Sequence, residues 1–210
     1  MAEIRQNNVV VGAKQFKKAL RDDRALKAYL AENADTPYVH DVYTIQGILL
    51  TEQKQYKPAD QTMAKVDVKQ LSRKIIPLYN FHMGYAYFQL GEESKALTYL
   101  QRLKKKDNPY ALQATYYVGC CYYNQREYGK ALVEFLTLEQ NGGYQQIAPY
   151  YIVQIYYAQG AYDKVLERAE MLLADYPENE YNDELHRIAG EIYYRDSVYE
   201  KAVSHLKDYH

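Results

Sequence analysis

The sequence predicts an all-α chain of stacked helix pairs, because one short pattern recurs five times at nearly constant spacing. In each copy a small residue is followed three positions later by Tyr or Leu, and nine positions after that by Ala or Val. The copies are Gly47, Leu50 and Ala59; Gly84, Tyr87 and Ala96; Gly119, Tyr122 and Ala131; Val153, Tyr156 and Val165; and Gly190, Tyr193 and Ala202. They begin 37, 35, 34 and 37 residues apart, a period typical of solenoids.

Each copy is predicted to form two helices joined by a short polar turn. If the small residue is numbered position 8 of its copy, the first helix spans positions 1 to 14 and the second carries the Ala or Val at position 20. Apolar residues at positions 8, 11, 20, 24 and 27 follow a helical period and not the alternation of a strand. The small residue is expected where the two helices cross closely. Pro109 and Pro177 are expected to stop helices.

This pattern resembles the tetratricopeptide repeat, which has Gly or Ala at position 8, Tyr at 11, Ala at 20 and an aromatic residue or Leu at 24. The third copy carries the resemblance most fully, with Val118, Gly119, Tyr122, Ala131 and Phe135. The resemblance covers about residues 40 to 209 and implies a right-handed superhelix of stacked antiparallel helix pairs. The sequence departs from the family at position 4, which holds no Trp, and at position 27, which is larger than Ala.

The domain organisation follows from the positions of the copies. We expect five repeats over residues 40–210, at about 40–73, 77–110, 112–145, 146–179 and 183–210, with the last one truncated. Residues 14–39 are expected to form a degenerate helical unit, and residues 1–13 a disordered or frayed N-terminus. No polar capping element follows the second helix of the fifth copy, so we also expect the natural protein to continue.

Composition and motifs exclude several classes of function. A formal net charge of -1 argues against nucleic acid as the main ligand, because phosphate binding depends on an excess of Lys and Arg. No apolar stretch is long enough to span a bilayer, so direct membrane insertion is not expected. The five histidines lack metal-ligand spacing, the adjacent Cys120 and Cys121 are predicted to be packing residues, and no phosphate loop or catalytic constellation is present. The sequence therefore predicts no enzyme, no cofactor and no metal.

Tyrosine is the most unusual feature of the composition, with 26 Tyr beside 4 Phe and no Trp. In tetratricopeptide repeats, positions 2, 5, 9, 12 and 13 of the first helix face a concave surface. Here positions 5 and 12, with one ring from position 9, are aromatic: Phe81, Tyr85, Phe88, Tyr116, Tyr123, Tyr150, Tyr157 and Tyr194. These rings are the predicted groove for a partner protein or peptide, since Tyr is enriched in binding hot spots. The alternative is that they pack on one another.

Two functions are compatible with this pattern. The first is a non-catalytic protein-interaction scaffold that binds a partner segment in the aromatic groove. The alternative is a structural spacer or self-assembling segment of a longer repeat protein, associating through the open C-terminal repeat. The clamp by which chaperone-binding members of the family hold acidic tails is absent, and Glu184 and Glu191 are expected to offset Arg187 and Arg195. The chain resembles long repeat arrays of bacterial cell envelopes, which by analogy points to the periplasm or envelope.

Overall fold

The computed structural model describes residues 38–104 and 108–209, together with helical positions at residues 28 and 31. Within residues 38–104 and 108–209 there are ten α-helices and no strand, and these helices form five consecutive pairs. The pairs are α1 (Val39–Glu52) and α2 (Tyr56–Met63); α3 (Ile76–Gln89) and α4 (Glu93–Leu100); α5 (Ala111–Asn124) and α6 (Tyr128–Leu138); α7 (Ile147–Ala158) and α8 (Tyr162–Asp175); and α9 (Asn182–Arg195) and α10 (Tyr199–Asp208). Short 3-10 helices occur at Val68–Gln70 and Gln101–Leu103. The segments predicted at 1–13 and 14–39 lie almost wholly outside the described residues.

The chain divides into two compact units, residues 1–114 and 115–210, with the division inside α5. In the first unit α1 contacts α2 and α3, α2 contacts α3, and α3 contacts α4. In the second unit α6 contacts α7, α7 contacts α8, α8 contacts α9, and α9 contacts α10. Helices therefore pack mainly on their neighbours along the chain, as in other repeat proteins. The predicted all-α helical repeat is confirmed, while the boundaries of the individual repeats stay a prediction.

The core of each pair is built around position 8, where a small residue leaves room for the side chain at position 24. A Cβ atom added to Gly84 would lie 2.5 Å from Leu100 Cγ, and one added to Gly190 would lie 2.7 Å from Leu206 Cγ. Gly47 faces Met63 and Gly119 faces Phe135 in the same way. The fourth copy exchanges the sizes, with Val153 at position 8 and Ala169 at position 24, both fully buried in one cluster. The valine that weakens the sequence pattern is thus matched by a smaller residue opposite.

The turn inside every pair has the same geometry, with a left-handed residue at position 15. This residue is Lys54, Gly91, Arg126, Gly160 or Ser197, with φ between 59° and 71°. The next amide N–H donates to the position 11 carbonyl, as from Glu92 to Tyr87 and from Val198 to Tyr193, at 2.8–2.9 Å. These bonds define a Schellman motif, which satisfies carbonyls at the end of the first helix.

Because only glycine adopts a left-handed conformation without steric cost, Ser197→Gly should raise the free energy of unfolding by about 0.5–1 kcal/mol. The reciprocal change Gly91→Ser should lower it by a similar amount, since nothing else lies within 4 Å of a Cβ at Gly91. Urea denaturation followed by circular dichroism measures both. Equal stability of Ser197→Gly and the unmodified chain would contradict this account of the turn.

Candidate protein-interaction surface

The eight predicted groove residues all lie on first helices of the pairs. Phe81, Tyr85 and Phe88 lie on α3, Tyr116 and Tyr123 on α5, Tyr150 and Tyr157 on α7, and Tyr194 on α9. Within a helix they are spaced three, four or seven apart, which places them on one face. Seven of the rings are half-buried, and the Tyr194 side chain is 65% exposed. Their use as a binding site stays a prediction, which the partial exposure of these rings permits.

In the first unit the aromatic face is a connected set of rings. Phe81 stacks on Tyr110 with centroids 4.9 Å apart, and lies parallel to Tyr85 at 6.3 Å. Tyr85 meets the ring of Tyr56 edge-on at 5.9 Å. Sequence reasoning missed Tyr110, which lies in the turn before α5 and carries no repeat position of its own. The face therefore combines rings from α3, from α2 and from this turn.

In the second unit each position 12 ring packs edge-on against the tyrosine five residues later. The pairs are Tyr123 with Tyr128, Tyr157 with Tyr162, and Tyr194 with Tyr199, with centroids 5.8, 6.0 and 5.7 Å apart. Edge-to-face pairs of this kind contribute about 0.5–1.5 kcal/mol each beyond the area they bury. The alternative in which rings pack on one another therefore accounts for one edge of Tyr157 and of Tyr194, and for more of Tyr123, which also meets Tyr151 edge-on at 5.5 Å. It does not account for the rest of the Tyr194 ring, which is exposed.

Tyr116 belongs to a more buried cluster with Tyr151 and Phe135. Tyr151 stacks on Phe135 at 4.5 Å, and Tyr116 meets Tyr151 edge-on at 6.0 Å. Burial raises the pKa of Tyr116 and of Tyr151 above the ordinary value. The thiol of Cys120 is hydrogen-bonded to both tyrosines, and burial raises its pKa to about 11. Cys120 is therefore a protonated packing residue, and Tyr116 contributes more to packing than to an open surface.

Tyr150 stacks on Tyr181, the residue that precedes α9, with centroids 4.3 Å apart and planes at 17°. Burial, with a contribution from Glu180, raises the pKa of Tyr181 to about 12. Beside this stack an open cavity of about 380 Å³ lies between the turns that lead into α7 and α9. It is lined by Gly143, Gln145, Gln146, Ile147, Tyr176, Glu180 and Tyr181. The cavity offers amide, phenol and carboxylate groups next to an aromatic pair.

The charged residues of the face form a network on α9. Arg187 donates to Glu184 at 2.7 Å and to Glu191 at 2.5 Å, and the bond to Glu184 lowers the pKa of that carboxyl. The Tyr157 hydroxyl donates to Glu191 at 3.0 Å, which joins the aromatic face to the network. The predicted offset of Arg187 by both carboxylates is confirmed, and the pair of carboxylates leaves one negative charge in excess.

Arg195 behaves differently from the expectation that Glu184 and Glu191 would offset it. Its guanidinium pairs with Asp196 at 2.8 Å and lies 3.6 Å from the centroid of the Tyr162 ring. The expected pairing is wrong for this residue, because Asp196 is its immediate neighbour in the chain and the Tyr162 ring provides a nearby cation–π surface.

A second recurrent feature stabilises the helix pairs and is not part of the aromatic face. In four copies the lysine at position 19 lies over the position 11 tyrosine: Lys95 over Tyr87, Lys130 over Tyr122, Lys164 over Tyr156 and Lys201 over Tyr193, at 5.1, 5.2, 5.1 and 4.8 Å from the ring centroids. These cation–π contacts connect the two helices of one pair. They explain the recurring lysine without a ligand.

Within residues 38–104 and 108–209, no group of three or more His, Cys, Asp or Glu side chains could hold a metal ion. In the same part of the chain, no helix has the length and apolar character needed to cross a bilayer.

Comparison with solved structures identifies the fold. A tetratricopeptide repeat protein from Parabacteroides merdae superposes with a TM-score of 0.68 at 19% identity, covering 97% of this chain and 78% of that one. MamA from strain AMB-1 superposes with a TM-score of 0.65 at 18% identity, covering 80% of this chain and 88% of that chain. BtubC from P. vanneervenii superposes with a TM-score of 0.59 at 12% identity, covering 93% of this chain and 88% of that chain.

Comparison by sequence finds no matching family profile and no matching curated protein. The structural matches nevertheless place this chain among proteins with the tetratricopeptide-repeat fold. At such low identity this similarity defines the fold, and the function has to be argued from the chain's own residues.

Proposed function

We propose that this chain is a non-catalytic protein-interaction scaffold that binds a partner polypeptide segment on its aromatic faces. The observation that carries the proposal is the presence of half-buried or exposed rings on the first helix of four successive pairs, away from the buried positions 8, 20 and 24. Rings held in place by their neighbours lose little conformational freedom on binding, and Tyr adds a hydroxyl to its apolar area. Direct binding of nucleic acid or membrane is not part of the proposal.

The chemistry of the second unit defines the kind of segment that fits it. Tyr157 and Tyr194 offer apolar ring surface beside the carboxylates of Glu184 and Glu191, which exceed the single charge of Arg187. A segment with apolar or aromatic anchors and a nearby Lys or Arg would complement both features. A segment rich in carboxylates would meet like charge and is disfavoured.

The test is selection of peptides from a random displayed library on the folded chain, followed by affinity measurement on variants. Tyr194→Ala and Tyr150→Ala should each raise the Kd of selected peptides at least about tenfold, as expected for hot-spot rings. Glu191→Gln should mainly weaken peptides that carry Lys or Arg, because it removes the excess negative charge and keeps the rings. The matched control is Val133→Ala on α6, an apolar residue that is 62% exposed on a second helix.

Thermal unfolding of the same variants separates binding from packing. Under the proposal Tyr194→Ala changes the Tm by little, because most of its ring is exposed. Unchanged peptide affinity combined with a large fall in Tm would assign the rings to packing and end the proposal. A second candidate function, a self-assembling structural segment, is favoured by the large apolar side chains that α10 exposes.

A further inference from the structure

Helix α10 exposes apolar side chains at positions that are buried in the earlier copies. Position 24 is fully buried in four copies, as Met63, Leu100, Phe135 and Ala169, but its fifth occupant, Leu206, is 43% exposed. Position 27 is at most 3% exposed at Leu103, Leu138 and Leu172 and half-buried at Val66, whereas Tyr209, directly after α10, is 46% exposed. The residue types are similar, so the difference lies in what covers them.

The second unit shows how such a face is covered. Ala169 and Leu172 of α8 share one buried cluster with Leu185, Ile188 and Ile192 of α9. The covering element is therefore a helix with apolar residues spaced three and four apart. On α10, Tyr199, Val203 and Leu206 form a stripe with the same spacing, and they are 58%, 50% and 43% exposed.

The adjoining side of α10 is already occupied. Ala202 is 2% exposed against α9, the Lys201 ammonium lies 3.1 Å from the Tyr193 hydroxyl, and His205 Nδ1 lies 3.0 Å from His186 Nδ1. These contacts fix the rotation of α10 about its axis. Val203 and the exposed parts of Tyr199 and Leu206 remain uncovered, although Tyr199 meets Tyr194 edge-on and Leu206 packs on Gly190 of α9.

Charges at the border of the stripe indicate what can cover it. Glu200 and Lys207 are exposed, lie seven residues apart, and follow the same border of the stripe. When two copies of such a helix pack antiparallel about a two-fold axis near Val203, like borders meet. Each Glu200 then lies opposite the partner's Lys207. A parallel pair would instead bring this border opposite the partner's other border, which carries Ala202 and His205 and is occupied by α9.

We propose that a second copy of this chain docks on α10 in this antiparallel arrangement, forming a two-fold symmetric dimer. Tyr199, Val203 and Leu206 of the two copies meet at the centre, and two Glu–Lys pairs flank them. An isologous interface of this kind is the commonest form of self-association. The dimer rests on the second candidate function and not on peptide binding by the aromatic faces.

Sedimentation equilibrium over a range of concentrations tests the proposal. We expect the unmodified chain to dimerise with a Kd between about 1 µM and 1 mM, the range of a small interface. Glu200→Lys and Lys207→Glu should each weaken the dimer at least about tenfold, since each places like charges opposite one another. The double variant Glu200→Lys/Lys207→Glu should return to within about threefold of the unmodified chain, because the charges are again complementary.

The centre of the stripe is tested separately. Val203→Asp should abolish dimerisation, whereas Met171→Asp on α8, at a residue that is 55% exposed, should leave it unchanged. Circular dichroism checks that each of these surface variants keeps its helices. At about 1 M salt the effect of single charge reversals should shrink, while that of Val203→Asp should remain.

Two results would overturn the proposal: a monomer up to about 1 mM, or a double charge reversal no better than the single ones. The second result would mean that Glu200 does not meet the partner's Lys207. Measuring peptide binding by Glu200→Lys distinguishes this proposal from the scaffold function. The variant should lose the dimer while its aromatic faces still bind peptide. Loss of binding in Tyr150→Ala without loss of the dimer is the converse case; Tyr150 is used here because Tyr194 packs on Tyr199 of the stripe.

Discussion

Replacing Gly84 by valine should lower the free energy of unfolding by about 1–3 kcal/mol, the usual cost of forcing additional carbons into a packed core. A Cβ at this position would lie 2.5 Å from Leu100 Cγ and 3.3 Å from the carbonyl oxygen of Ala96. Leu100 itself is fully buried and cannot move aside into solvent. Urea denaturation followed by helical circular dichroism measures the loss.

A compensating substitution makes this prediction specific. Leu100→Ala alone should destabilise by about 2–5 kcal/mol through the cavity it leaves. Gly84→Val combined with Leu100→Ala should cost clearly less than the sum of the two, because it recreates the arrangement of Val153 and Ala169. The matched control is Gly129→Val on α6, where nothing lies within 4 Å of a Cβ and helix propensity favours valine by a few tenths of a kcal/mol. Strict additivity of the two core substitutions would contradict the size exchange.

The second large effect is a loss of stability in acid that originates at His82. Burial lowers the pKa of this imidazole to about 4, and its Nδ1 atom is buried with no hydrogen-bond partner within the described part of the chain. In the unfolded chain the group takes up its proton near pH 6.5, but in the folded chain it does so only near pH 4. The unfolded state therefore binds more protons between these values, and stability falls as pH drops from about 6.5 to 4, by about 3 kcal/mol in total.

Substitution of His82 by leucine should remove most of this pH dependence. The variant carries no titrating group at the site, so its free energy of unfolding should be flatter between pH 6.5 and 4. Part of the slope should remain, because burial and the neighbouring His205 also lower the pKa of His186. Denaturation midpoints at several pH values provide the measurement. An unchanged slope in His82→Leu would show that other groups cause the acid sensitivity.

Core positions were predictable from the sequence because they follow a local rule. A helix pair that stacks on its neighbours needs apolar residues at fixed intervals, so the period of the pattern reveals positions 8, 20 and 24 without any knowledge of contacts. The glycine opposite a large residue was expected for the same reason. The pattern did not explain the fourth copy. There Val153 weakens the sequence repeat, but in the structure its larger side chain is accommodated by the smaller Ala169 at position 24.

The candidate surface was predictable only in part. The sequence placed the rings on one face of the first helices, and the resemblance to tetratricopeptide repeats suggested that this face binds. It could not assign neighbours to those rings, because Tyr110, Tyr151 and Tyr181 reach them from turns and helices about thirty residues away. Tyr116 illustrates the limit, since it has a groove position in the pattern but lies among Tyr151 and Phe135.

By itself, the sequence determined the class of fold, the pairing of helices and the helix face on which the extra tyrosines lie. These properties depend on spacing along the chain, and spacing is fully written in the order of the residues. The tertiary structure alone decided which tyrosines pack and which stay exposed, how Arg187 and Arg195 are neutralised, and that α10 presents its apolar stripe outward. Those properties depend on which side chains from distant segments occupy the same space, and exposure is determined by the neighbours a residue has and not by its type.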